Sequence, residues 1–260
     1  MCGVLAKNRL FGGQAVSQAL GAAREHLGRS ICPSTMHYRF AAPGKGDIDL
    51  DYVIEELESA VRVNVYQQTK QIGFCTIRLS DDLFSSFPLD LDYVPDPDSL
   101  VDISELARQK GNAVPIRLSI LEDIIYDIRP VEWGREPVTE PPRTIMWSRL
   151  QRDSIHSVPS SCGHQAVLLL SDFLIIQIAE DIYWTFGFLM STGASLAHSV
   201  RFHKRNDEID PHGWFLYRVE CESLGSNRAK LTATVYDENR MAVLTVIQEA
   251  MTQIQRKHKI

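Results

Sequence analysis

The chain has no Cys-x-x-Cys pair, no uninterrupted apolar run of membrane-spanning length and no excess of positive charge. Each absence removes a class of protein. The five cysteines, Cys2, Cys32, Cys75, Cys162 and Cys221, are scattered and odd in number. They indicate neither a zinc knuckle nor a disulfide framework, and they fit a reducing, intracellular compartment. A formal net charge of −6 over 260 residues argues against a surface that coats nucleic acid. The N-terminal MCGVLAKNRLFGGQ lacks the apolar core of a secretory signal. Asp172 interrupts the best apolar stretch, VLLLSDFLII at 167–176, well short of the roughly 20 residues a membrane span needs. The C-terminal His258-Lys259-Ile260 is only loosely similar to the peroxisomal Ser-Lys-Leu address, so the cytoplasm and the peroxisome are the expected locations.

What the chain does have is an internal repeat. GGQAV at 12–16 recurs as GHQAV at 163–167, and MHYRF at 36–40 parallels HSVRF at 198–202. EELES at 55–59 parallels VECES at 219–223, and VNVYQQTKQIGFCTIRL at 63–79 parallels LTATVYDENRMAVLTVIQE at 231–249. Four matches in the same order point to duplication, with loops that differ in length.

Each half reads as one long helix followed by consecutive strands. A helix is predicted over about 13–27, with strands near 35–41, 50–57, 61–68 and 71–79. In the second half, strands are expected at 123–133 and 143–150, then a helix through 167–176. SLAHSVRFH, WFLYRVECES, RAKLTATVYD and MAVLTVIQEA follow as strands. Strand runs without βαβ alternation predict antiparallel sheet and an α+β class. The Pro- and Asp-rich SSFPLDLDYVPDPDSLVD at 85–102 reads as the connection between the halves. A helix apolar on nearly all sides needs burial. One such helix wrapped by a curved antiparallel sheet is the hotdog arrangement, here expected twice in tandem. The first unit is assigned to 1–95, a linker to 96–113 and the second unit to 114–260. The N-terminus starts so close to FGGQ that the first unit has little room for a strand before its helix.

FGGQAVSQAL, HYRFAAPG, IRPVEW, HQAVLLLSD, AHSVRFHKR and TVYDENRMAVLTVIQEA resemble, in order, the motifs of the type II acyl-CoA thioesterases. This group includes the bacterial medium-chain and animal peroxisomal enzymes. The resemblance implies a double-hotdog fold that hydrolyses acyl-CoA to free acid and CoA, with no cofactor and no metal. It also implies an active site of Asp, Ser or Thr, and Gln that together hold the attacking water. By matching motifs these fall on Asp172, Ser195 and Gln248. The second half is expected to carry them. The expected partners are the acyl-CoA substrate and a second copy of the chain in a homodimer or higher oligomer.

The residues themselves support those roles. A carboxylate in apolar surroundings is a stronger base than one in water, because desolvation raises its pKa. On a strand through 244–248, alternation puts Leu244, Val246 and Gln248 on one face, so the amide needs polar partners there. GASLA around Ser195 lacks the final glycine of a nucleophile elbow, which favours direct attack by water over an acyl-enzyme. By the offsets of the repeat, Asp172 corresponds to Gly21 and Gln248 to Arg78, so the first copy lacks the polar pair. Gly12, Gly13 and Gln14 open the first helix, where free N–H groups favour negative charge. They are candidates for the thioester oxygen or the CoA phosphates. Arg201, His203, Lys204 and Arg205 form a basic cluster that is either a CoA phosphate contact or a solvated charge run.

Overall fold

The computed structural model describes residues 9–28, 31–80, 93–110, 126–132, 142–151 and 159–256. The extreme N-terminus, residues 85–92 of the Pro-rich connection, Trp133 and the C-terminal tetrapeptide lie outside the described residues. Helix α1 spans Gly12–Leu27 and ends at Gly28, whose φ of 58° supplies the left-handed cap. Strands β1 (Pro33–Phe40), β2 (Asp51–Leu57), β3 (Ala60–Gln67) and β4 (Lys70–Leu79) follow. Within the connection lie a short 3-10 turn at Pro97–Ser99 and helix α2, Ile103–Lys110. Strands β5 (Tyr126–Glu132) and β6 (Arg143–Leu150) come next, then helices α3 (Gly163–Ser171) and α4 (Gln177–Thr185). The chain closes with β7 (Phe188–Phe202), β8 (Phe215–Gly225), β9 (Arg228–Tyr236) and β10 (Ala242–Arg256).

The ten strands among the described residues form one sheet in the order β2-β3-β4-β1-β7-β10-β9-β8-β6-β5, and every pairing is antiparallel. The repeat explains that order. β1, β4, β3 and β2 of the first half occupy the places that β7, β10, β9 and β8 occupy in the second, and β1 meets β7 at the centre. Alternation sets the inner face: Val61, Val63 and Val65 of β3 are buried while Arg62 is exposed. The inner face wraps α1 and α3, which run antiparallel. Small residues on the α3-facing side of α1 let the helices approach: a Cβ on Gly13 would meet the Leu169 carbonyl, one on Gly21 would meet Gln165, and Ser17 donates to the Gln165 carbonyl at 2.9 Å. On the outer face of the second half, Val94 and Leu100 of the connection pack on Ile145, Trp147 and Trp214. Trp147 Nε1 donates to the Pro95 carbonyl at 2.9 Å.

One expectation is corrected. The helix predicted through 167–176 is interrupted: α3 stops at Ser171 and Asp172 is its C-cap. The Phe173 N–H returns to Leu170 at 2.8 Å and Leu174 takes a φ of 58°, so the chain unwinds before α4 begins. A non-glycine residue in that region costs on the order of 1 kcal/mol, and tertiary packing offsets it. Phe173 is fully buried, its ring 4.9 Å from Tyr126 and 6.5 Å from Phe11 by centroids. Ile175 and Ile176, beyond the break, therefore do not share a helical face with Asp172.

At the far end of α3, His164 is buried with Nδ1 accepting from Arg24 Nη2 and Nε2 donating to the Lys204 carbonyl, both at 2.8 Å. That arrangement fits a neutral ring, and burial pushes its pKa down to about 4. The unfolded imidazole binds a proton near its ordinary 6.5. The stability that His164 contributes is therefore complete above 6.5 and lost as pH falls toward 4. The loss is about 3 kcal/mol. Urea midpoints of wild type and His164→Gln between pH 7 and 4 check this: the wild type is expected to lose more stability over that range than the variant. Parallel curves would remove His164 as the cause.

Candidate active site

Asp172 stands where the N-terminus of α1 meets the C-terminus of α3. Phe11 at the N-cap of α1 gives no side-chain cap, and the Gly13 N–H hydrogen-bonds the Asp172 carboxyl instead. The fit is close: a Cβ on Gly12 would lie 2.4 Å from Asp172 Oδ2, and one on Gly13 would lie 2.6 Å from the Leu169 carbonyl. The two glycines thus serve tight packing and present the positive end of a helix to a carboxylate.

From the sheet, Ser195 on β7 donates to Asp172 Oδ1 at 3.0 Å. Gln248 on β10 donates from Nε2 to Ser195 Oγ at 2.9 Å and also hydrogen-bonds Asp172. The inward face predicted for β10 is the one observed: Leu244, Val246 and Gln248 are all buried. The three residues picked from the sequence are therefore joined in one chain of hydrogen bonds. Burial pushes the Asp172 carboxyl above its usual range, opposed by His198, Ser195, Gln248 and the Gly13 N–H.

His198 was missed by sequence reasoning. It is fully buried, pairs with Gln248 across β7 and β10, and hydrogen-bonds the Gln248 side-chain oxygen through Nδ1. Its Nε2 lies 2.9 Å from Ser171 Oγ, and its Nδ1 is 4.0 Å from Asp172 Oδ1. The signal was present. Val200 and Phe202 share its inward strand face, so His198 was as anomalous there as Gln248 on β10. The register also corrects the repeat offset. Met36↔Ile77 in β1–β4 is the counterpart of His198↔Gln248, so Ile77, not the exposed Arg78, takes the place of Gln248 in the first copy. Two apolar residues stand in the first half where the second has a polar pair.

Asp172 and Ser195 line a cavity of about 530 Å³ walled by both halves: Phe11, Gly12, Tyr38, Phe40, Pro43 and Ile72 from the first, Leu174, Ile176, Met190, Gly193 and Met251 from the second. Gln248 and His198 do not reach it. The remaining candidates lie elsewhere. Gln14 faces a separate groove between α1 and the loop before β2. Arg201 points outward from β7, and Lys204 is ion-paired with Asp237. His203 bonds Thr245 at 3.2 Å. Among the described residues no cluster of His, Cys, Asp and Glu is placed to hold a metal ion, and no helix is long and apolar enough to cross a membrane.

Fold and site together define a double-hotdog protein with a buried carboxylate, held by a hydroxyl and an amide, beside an apolar cavity. Residues 95–252 match the model of the acyl-CoA thioesterase C-terminal domain family, and the chain belongs to that family. It is a thioester hydrolase. It is similar, at 23% identity over 267 residues, to acyl-coenzyme A thioesterase 8 of Homo sapiens, covering 95% of this chain and 81% of that protein. Among solved structures it is similar to the tesB protein of Mycobacterium avium subs paratuberculosis, with a TM-score of 0.70 and 22% identity over 95% of this chain and 88% of that one. The acyl-CoA thioesterase II TesB2 from Mycobacterium marinum gives 0.69 and 19%, over 96% and 92%.

Proposed function

We propose that the chain hydrolyses fatty acyl-CoA thioesters by direct attack of a water activated by Asp172. The observation that carries this reading is the Ser195–Asp172 hydrogen bond in the wall of an apolar cavity of about 530 Å³. The acyl chain occupies the cavity with its carbonyl carbon next to that wall. Asp172 takes a proton from water as the water oxygen attacks. The tetrahedral oxyanion then collapses, the C–S bond breaks, and the CoA thiolate recovers the proton from Asp172. Ser195 fixes the carboxylate, and Gln248 fixes Ser195 from behind. The N-terminus of α1 favours negative charge on the carboxylate and on the developing oxyanion.

Two rivals are less well supported. A hydratase-type reaction needs a histidine at the cavity surface, and His198 lies behind Gln248 while His164 sits at the other end of α3. A non-catalytic acyl-CoA-binding protein would have no use for a desolvated carboxylate with three donors. Thiol release from short, medium and long acyl-CoAs separates the readings. Wild type is expected to release thiol, and Ser195→Ala to lower kcat by roughly ten- to thirtyfold with the fold intact. Binding of every ester without release would replace hydrolysis with binding.

A further inference from the structure

Beside Asp172 the described mechanism leaves a buried titratable group, His198, unused, and the hydrogen bonds around it constrain where its protons sit. Ser171 donates its single hydroxyl proton to the Leu168 carbonyl at 2.8 Å. Its oxygen is then an acceptor toward His198 Nε2, so Nε2 carries a proton. At the other end of the network, Asp172 receives bonds from Ser195, Gln248 and the Gly13 N–H, the environment of a carboxylate. The Gln248 amide must therefore turn its N–H groups toward Ser195 and Asp172. Its oxygen faces His198 Nδ1 and has no proton to give, so Nδ1 carries one too. Turning the amide over would place its oxygen against Ser195 and require the proton to sit on Asp172. Amide orientation and the seat of the proton are one variable.

We propose that His198 is a positioning residue for the hydrolysis: an imidazolium that holds the Gln248 amide with its N–H groups toward Ser195 and Asp172 and so keeps Asp172 an unprotonated base. The inference rests on the reading of Asp172 as that base. The titratable groups packed around the pair are Tyr38, the register partner of His198 on β1, Tyr217 on β8 and Tyr126 on β5. Burial pushes all three phenols up, so they stay neutral and Asp172 is the group with which His198 trades charge. Burial also pushes the imidazole down and the carboxyl up, and each opposes that shift in the other more than any other neighbour does.

Profiles of kcat/KM against pH test this. His198→Asn can still donate to Gln248 but cannot carry charge. Its plateau is expected within about fivefold of wild type, with the acid limb moved up by about one pH unit. His198→Phe loses both functions, and kcat is expected to fall about thirtyfold with KM within about threefold. Ser171→Ala removes only the acceptor for Nε2–H, a small change in volume, and is expected to move the limb upward by about half a unit. An unmoved limb in His198→Asn, or wild-type kcat in His198→Phe, overturns the proposal. If neither folds, an unmoved limb in Ser171→Ala does so. Asp172→Asn separates the two levels. Turnover in that variant removes the base itself, whereas a dead Asp172→Asn with unmoved limbs removes only the role of His198.

Discussion

An Asp172→Asn enzyme is expected to release thiol from acyl-CoA about a thousandfold more slowly than wild type, the scale of a lost general base. The variant keeps the shape and the acceptor oxygen for Ser195 but cannot take a proton from water. Binding should survive, because the cavity walls are otherwise untouched and acyl-chain burial supplies the affinity. Stability should hold or rise. Asp172 titrates above its ordinary range, so its effect on folding is most favourable below 3.8, where it is neutral in both states. That advantage is lost as pH rises through the folded-state pKa. At working pH the charged group therefore costs stability, and the neutral amide removes that cost. Activity runs the other way: kcat/KM of wild type should climb as pH rises through the raised pKa, and the residual rate of the variant should lack that limb. Steady-state kinetics and thermal melts on the same preparation decide it. A variant with near wild-type turnover would end the mechanism.

Much of the fold was legible because two periodicities, helical and strand, are written twice. β1 to β4 fall within about two residues of their expected bounds, and the inward face of β10 was readable from Leu244, Val246 and Gln248 alone. The failure lies at the site itself. VLLLSDFLII has the composition of an unbroken buried helix, and local propensity gives no reason for Leu174 to adopt a φ of 58°. The break comes from outside the segment: Phe173 fills the space between Phe11 and Tyr126, and the Gly13 N–H and Ser195 hold the carboxylate. No local pattern contains those contacts. His198 escaped for a different reason. Its inward direction was predictable, but its meaning appears only when β7 is laid against β10 and the ring is found opposite Gln248. The basic cluster at 201–205 shows the converse: a dense charge run in one dimension, and in three dimensions an outward arginine and a lysine engaged by Asp237.

The division of labour between the halves follows from the same contacts and leads to the second large effect. The second half supplies Asp172, Ser195, Gln248 and His198. The first supplies the helix end that receives the carboxylate and the aromatic wall of the cavity. Gly12 is the point where the two halves touch at the reacting group, and Gly12→Ala is expected to lower kcat by about a hundredfold. The new Cβ would stand 2.4 Å from Asp172 Oδ2 and 3.2 Å from the Phe40 ring. One of the three must give, and the carboxylate is the nearest. A displacement approaching an ångström breaks its alignment with the attacking water and with Ser195. The fold should suffer little, because alanine favours a helix over glycine by about 1 kcal/mol and the overpacking costs a similar amount. Two neighbours on α1 serve as controls. A Cβ on Gly21 would meet only Gln165 Nε2 at 3.6 Å, so Gly21→Ala should stabilise by about 0.5–1 kcal/mol at unchanged kcat. A Cβ on Gly13 would press on the Leu169 carbonyl at 2.6 Å and on Phe11 at 2.8 Å, forcing the helices apart, so Gly13→Ala should lower Tm as well as kcat. Measured together, kcat and Tm of the three variants distinguish a helix end that positions a base from one that only packs. If Gly12→Ala turns over like wild type, the first half contributes walls and nothing more.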